Sequence, residues 1–188
     1  SKDLSNLSAN GRARFCARGK RTRIINDPSD LVPLLLAFGS EVHKRVFEEL
    51  CEDWRTEAEL SELMSDEKGV HRSLELLKKS GLVETKWKMP KPGESPEKEY
   101  HSSYSRVQAN FVCPLEDLSE LIYLTSMSDD ELRKETEKIE GLVVKGNTSL
   151  SNLSRELDLS QAFIRGAAKR AKGLAVRGQR IELSKEEG

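Results

Sequence analysis

The chain has 188 residues, with 31 Lys and Arg against 32 Asp and Glu, so its formal net charge is −1. Charged residues make up 34% and hydrophobic residues 36%, a composition that fits one soluble domain or two small ones. The longest apolar stretch, residues 31–38, is far shorter than the roughly 20 residues that cross a bilayer, and no signal peptide opens the chain, so a cytoplasmic location is expected.

The first part of the chain is basic and weakly patterned. Residues 1–10 have no apolar period and predict a loose arm, whereas residues 12–25 alternate weakly between apolar and basic side chains. Two interpretations stay open for this second stretch: a small hairpin that turns at Gly19 and Lys20, or a flexible basic arm. Its arginines suit a DNA minor groove, and a solvated tail is the equal alternative.

Four helices are predicted between residues 27 and 81. The DPSD sequence at residues 27–30 supplies capping oxygens and a first-turn proline for a helix that stops at Gly39, and Ser40 begins the next. Thr56 with Glu59 makes a capping box for the third helix. The fourth helix begins at Asp66, ends at Gly81 and keeps its apolar residues at helical spacing, namely Val70, Leu74 and Leu77.

After Gly81 the apolar period becomes that of strands. Residues 82–89 and 100–113 are β-prone, and the Pro- and Gly-rich sequence between them predicts a turn. Three short helices followed by a β-hairpin are the pattern of a winged helix. Pro114 then opens an amphipathic helix, and Ser128 with Glu131 forms a second capping box for a helix that ends near Val144.

The last section repeats this pattern on a smaller scale. Thr148 caps a short helix, Ser160 caps the next one over residues 161–172, and residues 174–183 form a minimal wing. The predicted fold class is therefore mainly α with small β-hairpin wings (α+β), two winged-helix-like units joined by a helical segment. The predicted domains are a basic arm or hairpin (1–26), a winged-helix domain (27–113), an acidic helical linker and dimerisation segment (114–144), and a second helix-turn-helix with a wing (145–188).

The sequence VHRSLELLKKSGLV at residues 70–83 resembles the recognition-helix signature of ArsR-type winged-helix regulators. Its matching positions are Val70, Leu74, Leu77, Gly81, Leu82 and Val83. The resemblance covers roughly residues 30–113, and the architecture is similar to that of archaeal members with two helix-turn-helix units. It implies a DNA-binding fold, although winged helices also dock proteins.

Metal sensing is not carried over from this family, because the stretch that matches its paired cysteines, residues 56–60, has no thiol. No CxxC pair occurs, so we expect no disulfide framework, no metal site and no cofactor. Cys51 is interpreted as a small buried apolar residue rather than a sensor. The three cysteines are Cys16, Cys51 and Cys113.

Charge segregation supplies the candidate binding residues. Residues 11–25 hold six bases and no acid, residues 115–140 nine acids and three bases, and residues 145–180 eight bases and two acids. On the fourth helix and its wing the candidates for DNA contact are Lys68, His71, Arg72, Lys79, Lys88 and Lys91. This helix face also carries Glu75, so it either reads bases, with Arg72 on guanine and Glu75 on cytosine, or is an ordinary solvated face. Trp87 is expected to pack on its own domain.

The second helix-turn-helix gives the more uniform basic surface. Apolar residues cluster on one side of its last helix, and the predicted DNA contacts lie on the other side and in the wing: Gln161, Arg165, Lys169, Lys172, Arg177 and Arg180. Arg165 suits guanine and Gln161 adenine, whereas the remaining cations suit phosphates. The alternative is a basic surface helix without a ligand.

These patterns predict a sequence-specific double-stranded DNA-binding transcriptional regulator, associated with the nucleoid and acting as a homodimer on an inverted repeat. The alternative function is a winged-helix protein-interaction adaptor in a larger assembly. No effector can be named, and no Gly-rich phosphate loop, nucleophile elbow or HExxH motif indicates an enzyme. Two apolar sets suggest a dimer seam: Leu31, Leu34, Leu35, Leu36 and Phe38, and Leu118, Leu121, Ile122 and Leu124.

Overall fold

The computed structural model of the chain describes residues 20–185. By their internal contacts these residues form two compact units: the first holds residues 20–24 and 37–108, and the second holds residues 25–36 and 109–185. The sequence analysis places residues 27–36 in the first winged helix, whereas their contacts are with the second unit. The predicted arm and the hairpin turn at Gly19 lie outside the described residues.

Most predicted elements are present. The helices are α1 (Leu31–Ala37), α2 (Glu41–Glu52), α3 (Glu57–Met64), α4 (Glu67–Lys79), α5 (Leu115–Ser126), α6 (Asp129–Val144), α7 (Leu150–Leu157) and α8 (Gln161–Arg170), with a 3-10 turn at Pro28–Asp30 before α1. The strands are β1 (Arg21–Ile25), β2 (Arg55–Thr56), β3 (Glu84–Lys88), β4 (Glu97–His101), β5 (Tyr104–Ala109), β6 (Leu174–Arg177) and β7 (Arg180–Leu183).

The first unit has the element order of a winged helix, in which α2, α3 and α4 form the helical part. The strands β2, β4 and β3 form an antiparallel sheet in that order, and β3 and β4 make the wing. Apolar side chains from all three helices fill the core, including Val46, Leu50, Leu60, Val70, Leu74 and Leu77.

The single predicted strand over residues 100–113 is wrong. Strand β4 ends at His101, and the next residue, Ser102, donates its backbone N–H to the carbonyl of Leu50 on α2 at 2.9 Å. With this bond the backbone leaves the β3–β4 hydrogen-bonding pattern of the wing. The following strand, β5, pairs instead with β1, so the end of the basic N-terminal stretch is a strand rather than a flexible arm.

The second unit surrounds α8 with a core drawn from α5, α6, α7, the wing strands and residues 25–36. Gly166 on α8 makes this packing close, because a Cβ there would lie 2.6 Å from Leu124 Cδ1 and 2.7 Å from Leu121 Cδ2. Leu121 and Leu124 are therefore core residues and do not form a dimer seam, whereas Ile122 on the same helix is exposed.

The second unit also follows winged-helix order. The cap of α7 is Ser149 rather than the predicted Thr148, and its hydroxyl accepts from the N–H of Asn152. Ser149 also forms a β-bridge with Arg180, in the place that β2 takes in the first unit. The cap at Ser160 and the wing turn at Gly178, with φ 58°, agree with the prediction.

The expectation of no disulfide is wrong for Cys51, which is buried and disulfide-bonded. Cys113 is a free thiol. Within residues 20–185 no group of three or more His, Cys, Asp or Glu side chains is placed to hold a metal ion.

Candidate nucleic-acid interface

The start of α4 depends on one carboxylate. Asp66 accepts a hydrogen bond from the backbone N–H of Gly69 at 2.9 Å, which satisfies one of the free amides of the first turn. A Cβ at position 69 would lie 2.2 Å from Asp66 Oδ2, so glycine leaves room for this cap. The negative charge of Asp66 is thus engaged at the positive end of the helix instead of facing outward.

The outer face of α4 mixes cations with carboxylates. Lys68 is exposed in the first turn. His71 lies 2.8 Å from Glu57 and 3.3 Å from Glu75, and Arg72 lies 3.7 Å from Glu75. The face therefore presents hydrogen-bond donors and acceptors side by side, which suits base edges better than a row of phosphates.

The other candidates of the first unit lie at the end of α4 and on the wing. Burial lowers the pKa of Lys79 in the last turn of α4. Lys88 pairs with Glu59 of α3 at 3.6 Å, and Lys91 is exposed in the wing turn. Trp87 is 57% exposed, so the expectation that it packs on its own domain is wrong.

The basic stretch before α1 is engaged within the first unit where the structure describes it. Arg21 pairs with Glu84 and lies over the ring of Tyr104, 4.4 Å from its centroid. Arg23 donates from Nε to the carbonyl of Ser80 at 2.9 Å. These two arginines hold β1 beside the end of α4 and are not presented as a minor-groove arm.

The outward projection predicted for Arg165 and Lys169 is wrong. Arg165 donates from Nε and Nη2 to Asp27 Oδ2 at 3.1 and 2.5 Å, and from Nη1 to the carbonyl of Gly178 at 2.9 Å. Lys169 lies 2.8 Å from Asp30 and 3.5 Å from Asp27. We call these four charged residues, Asp27, Asp30, Arg165 and Lys169, the α8 ion cluster.

The physical reason for this arrangement is that residues 27–36 cover α8. The side chains of Arg165 and Lys169 are only 21% and 17% exposed, and Gln161 is the one exposed residue within α8. Burial by itself would raise the pKa of Asp27, but hydrogen bonds from the Ser29 hydroxyl and N–H, and then Arg165 and Lys169, outweigh it and lower this pKa. Asp27 is therefore a firmly ionised partner.

The remaining cations of the second unit lie nearer to solvent. Lys172 is exposed just beyond α8. Arg177 pairs with Glu182 at 2.9 Å, and Arg180 donates to the Thr148 hydroxyl at 3.0 Å. The exposed contacts of Arg177 and Arg180 can exchange partners more easily than the α8 ion cluster.

Sequence reasoning missed Arg170, which lies in the same basic run. Its guanidinium is buried and donates to the carbonyl of Leu124 and to Asp129 at 3.0 Å, which ties α8 to the start of α6. Position 170 lies seven residues after Phe163 and three after Ala167, so helical spacing puts it on the core side of α8, whereas position 172 falls on the opposite side. This spacing is the signal that could have identified Arg170 as buried.

The two helix-turn-helix units, each followed by a strand hairpin, define a winged-helix protein. The sequence matches the family model described as ArsR transcriptional regulator over residues 25–185, and the chain belongs to this family. It is accordingly a transcriptional regulator with DNA as its partner, in a family that is typically non-enzymatic. None of the curated proteins matches the chain. No helix within residues 20–185 is long and apolar enough to span a membrane.

Proposed function

We propose that this regulator is nucleoid-associated, binds double-stranded DNA sequence-specifically, and reads it with α4 of the first unit. The observation that carries the proposal is the outer face of α4, where Lys68 is exposed and His71 and Arg72 lie beside Glu75, while Asp66 is held in the helix cap. The second helix of a helix-turn-helix is the one that enters the major groove.

The contacts of this face can be assigned by side-chain chemistry. Arg72 and Glu75, 3.7 Å apart, together suit one G·C pair, because guanidinium donates to guanine O6 and N7 while carboxylate accepts from cytosine N4. Lys68 and Lys91 suit phosphates, which position the protein without reading sequence. Lys79 and Lys88 contribute to the same positive field.

We leave Arg165 and Lys169 out of the proposed DNA face, since both are paired in the α8 ion cluster. In the second unit Gln161 and the cations Lys172, Arg177 and Arg180 remain candidates for outer contacts with DNA. Their exposure makes them suitable for phosphate contacts that add affinity in a salt-dependent way.

We further propose a homodimer that binds an inverted repeat, with half-sites about 34–36 Å apart or a multiple of this distance. The proposed seam is the exposed apolar part of α5, formed by Leu115, Ile122 and Tyr123. Size-exclusion chromatography with light scattering should then show that an Ile122→Glu variant is a monomer. A Lys134→Gln variant on α6 should keep the oligomeric state of the unaltered chain.

The function is tested by selecting bound sequences from a random duplex pool with the full chain. Replacing Arg72 by Gln should reduce the free energy of DNA binding by about 1–3 kcal/mol and relax the sequence preference at one base pair. Lys68→Gln should weaken binding to all sequences to the same extent. Lys68→Gln should also make the slope of log K against log salt shallower by about 0.9. Lys134→Gln is the matched charge control. Absence of enrichment, together with a flat salt response, would contradict DNA binding.

A protein-interaction adaptor is the second candidate. It is favoured by the carboxylates beside the α4 cations, because Glu57 and Glu75 both lie next to His71. An adaptor would bind a basic partner protein in defined stoichiometry and show no duplex enrichment. Affinity capture and duplex selection with the same preparation separate the two functions.

A further inference from the structure

The outer part of the β3–β4 wing exposes two large apolar side chains. Trp87 is 57% exposed and Met89, one residue beyond β3, is 88% exposed. Single exposed apolar residues are common on protein surfaces, so exposure alone assigns no role to them. The charge distribution around Trp87 is what distinguishes this wing.

The strand register separates the charges onto two sides of the wing. Trp87 is directly opposite Lys98, and residues directly opposite one another in an antiparallel pair share a face. The Lys98 ammonium lies 5.2 Å from the centroid of the Trp87 indole ring, within the range of a cation–π contact. Because side chains alternate along a strand, Glu97 and Glu99 point to the other side.

On that other side the acids accompany lysines. Lys86 lies 3.6 Å from Glu99, and Lys88 lies 3.6 Å from Glu59 of α3. The side that carries Trp87 thus combines an apolar ring with a cation and receives no carboxylate from β3 or β4. A polyanion with an apolar interior is the complement of such a surface, and double-stranded DNA has this character.

We propose that the wing of the first unit inserts Trp87 into the DNA minor groove as an apolar wedge, with Lys98 on an adjacent phosphate. This inference rests on the proposed function, since it requires the duplex that α4 reads. A wedge that unstacks a base step kinks the duplex toward the major groove by about 20–90°. The regulator therefore discriminates among sequences partly by how easily that step bends, without contacting its base edges.

The experiment uses the full chain with Trp54→Phe, which leaves Trp87 as the sole tryptophan of the two in the sequence. The probe is a duplex enriched by the full chain from a random pool, labelled at both ends. Anisotropy reports binding, Trp87 emission reports insertion, and energy transfer between the labels reports bending. Binding should quench the Trp87 emission, protect it from acrylamide and bring the duplex ends together.

Variants separate stacking from charge. Trp87→Ala should weaken binding by about 5- to 150-fold and leave the duplex straight, while Trp87→Phe keeps most of the bend. Lys98→Met should make the salt slope shallower by about 0.9 with the bend retained. The matched control is Val112→Ala in the second unit, an exposed apolar side chain outside the proposed DNA face and dimer seam; it should change neither quenching nor bending.

Each outcome decides the inference. Tight binding with unchanged Trp87 emission and a straight duplex overturns the wedge and leaves the proposed function standing. A bend that persists in Trp87→Ala overturns it as well. Failure of the Trp54→Phe chain and the unaltered chain to bind any duplex overturns both proposals. Circular dichroism of each variant confirms that the comparison is between folded proteins.

Discussion

Replacing Arg165 by Met removes the central cation of the α8 ion cluster and keeps the aliphatic volume of its side chain. Asp27 then loses two N–H donors, at 3.1 and 2.5 Å, and the carbonyl of Gly178 loses one at 2.9 Å. Hydrogen bonds to charged groups contribute about 1.5–3 kcal/mol. Because the pair is about one-fifth to one-quarter exposed, solvent compensates part of this loss, and we expect Arg165→Met to lower the free energy of unfolding by about 2 kcal/mol.

The assay is urea unfolding followed by far-ultraviolet circular dichroism, combined with hydrogen exchange of the α8 amides. Both tryptophans, Trp54 and Trp87, belong to the first unit, so their fluorescence shows whether that unit is unaffected. Arg177→Met is the matched control, because its ion pair with Glu182 is exposed and should be worth less than about 1 kcal/mol.

A double-mutant cycle makes the test specific. Asn at position 27 still accepts from the Ser29 N–H, so Asp27→Asn removes the charge and keeps the cap. The costs of Asp27→Asn and Arg165→Met should be non-additive by about 1 kcal/mol or more. Additive costs, or an Arg165→Met cost equal to that of Arg177→Met, would refute the ion-cluster reasoning. A shallower salt slope of DNA binding in Arg165→Met would return this residue to the DNA face.

Three further changes test other parts of the structure. Because the pKa of Asp27 is lower in the folded protein than its unfolded value near 3.8, the ionised carboxylate stabilises the fold above that pH, and this stabilisation is lost as the pH falls below it. Asp27→Asn should therefore flatten the acid side of a plot of unfolding free energy against pH. Burial, and to a smaller extent the charge of Arg72, lower the pKa of His43 against the opposing effect of Asp66, and the ring hydrogen-bonds to the buried Ser73. The free energy of unfolding should therefore fall as the pH drops below 6.5, because the unfolded chain then binds more protons than the folded protein. Urea unfolding of a His43→Gln variant at several pH values should show that this dependence is lost. Gly166→Ala should destabilise the second unit by about 1–3 kcal/mol, because the added methyl group overpacks the core, and calorimetry should show a lower melting temperature. An unchanged melting temperature would mean that the neighbouring leucines move aside without cost.

The local signals in the sequence predicted the helix starts well. Capping boxes at Thr56 and Ser128 are both present, and Asp66 caps α4 as expected. A cap depends on side chains within three residues of each other, so the sequence contains the whole interaction. The wing turn at Gly178 follows for the same reason.

The functional interpretation of α8 failed where the partners are distant in sequence. Asp27 and Arg165 are separated by 138 positions, and no local pattern reports that the DPSD segment lies on α8. The same periodicity fits an open recognition helix and a central helix whose cations are neutralised by another segment. The small residue Gly166 allows α8 to pack closely against Leu121 and Leu124 of α5.

The assignment of residues 25–36 to the second unit changes how the protein divides. Val32 is fully buried in the core of that unit, where it contributes roughly 1.5–3 kcal/mol, and Asp27 satisfies Arg165. A fragment cut at residue 114 therefore exposes an apolar surface and leaves a partly buried guanidinium without its carboxylate. Weak DNA binding by such a fragment would report this damage rather than the contacts of the second wing. Substitutions within the full chain are consequently the sound way to apportion DNA contacts between the units.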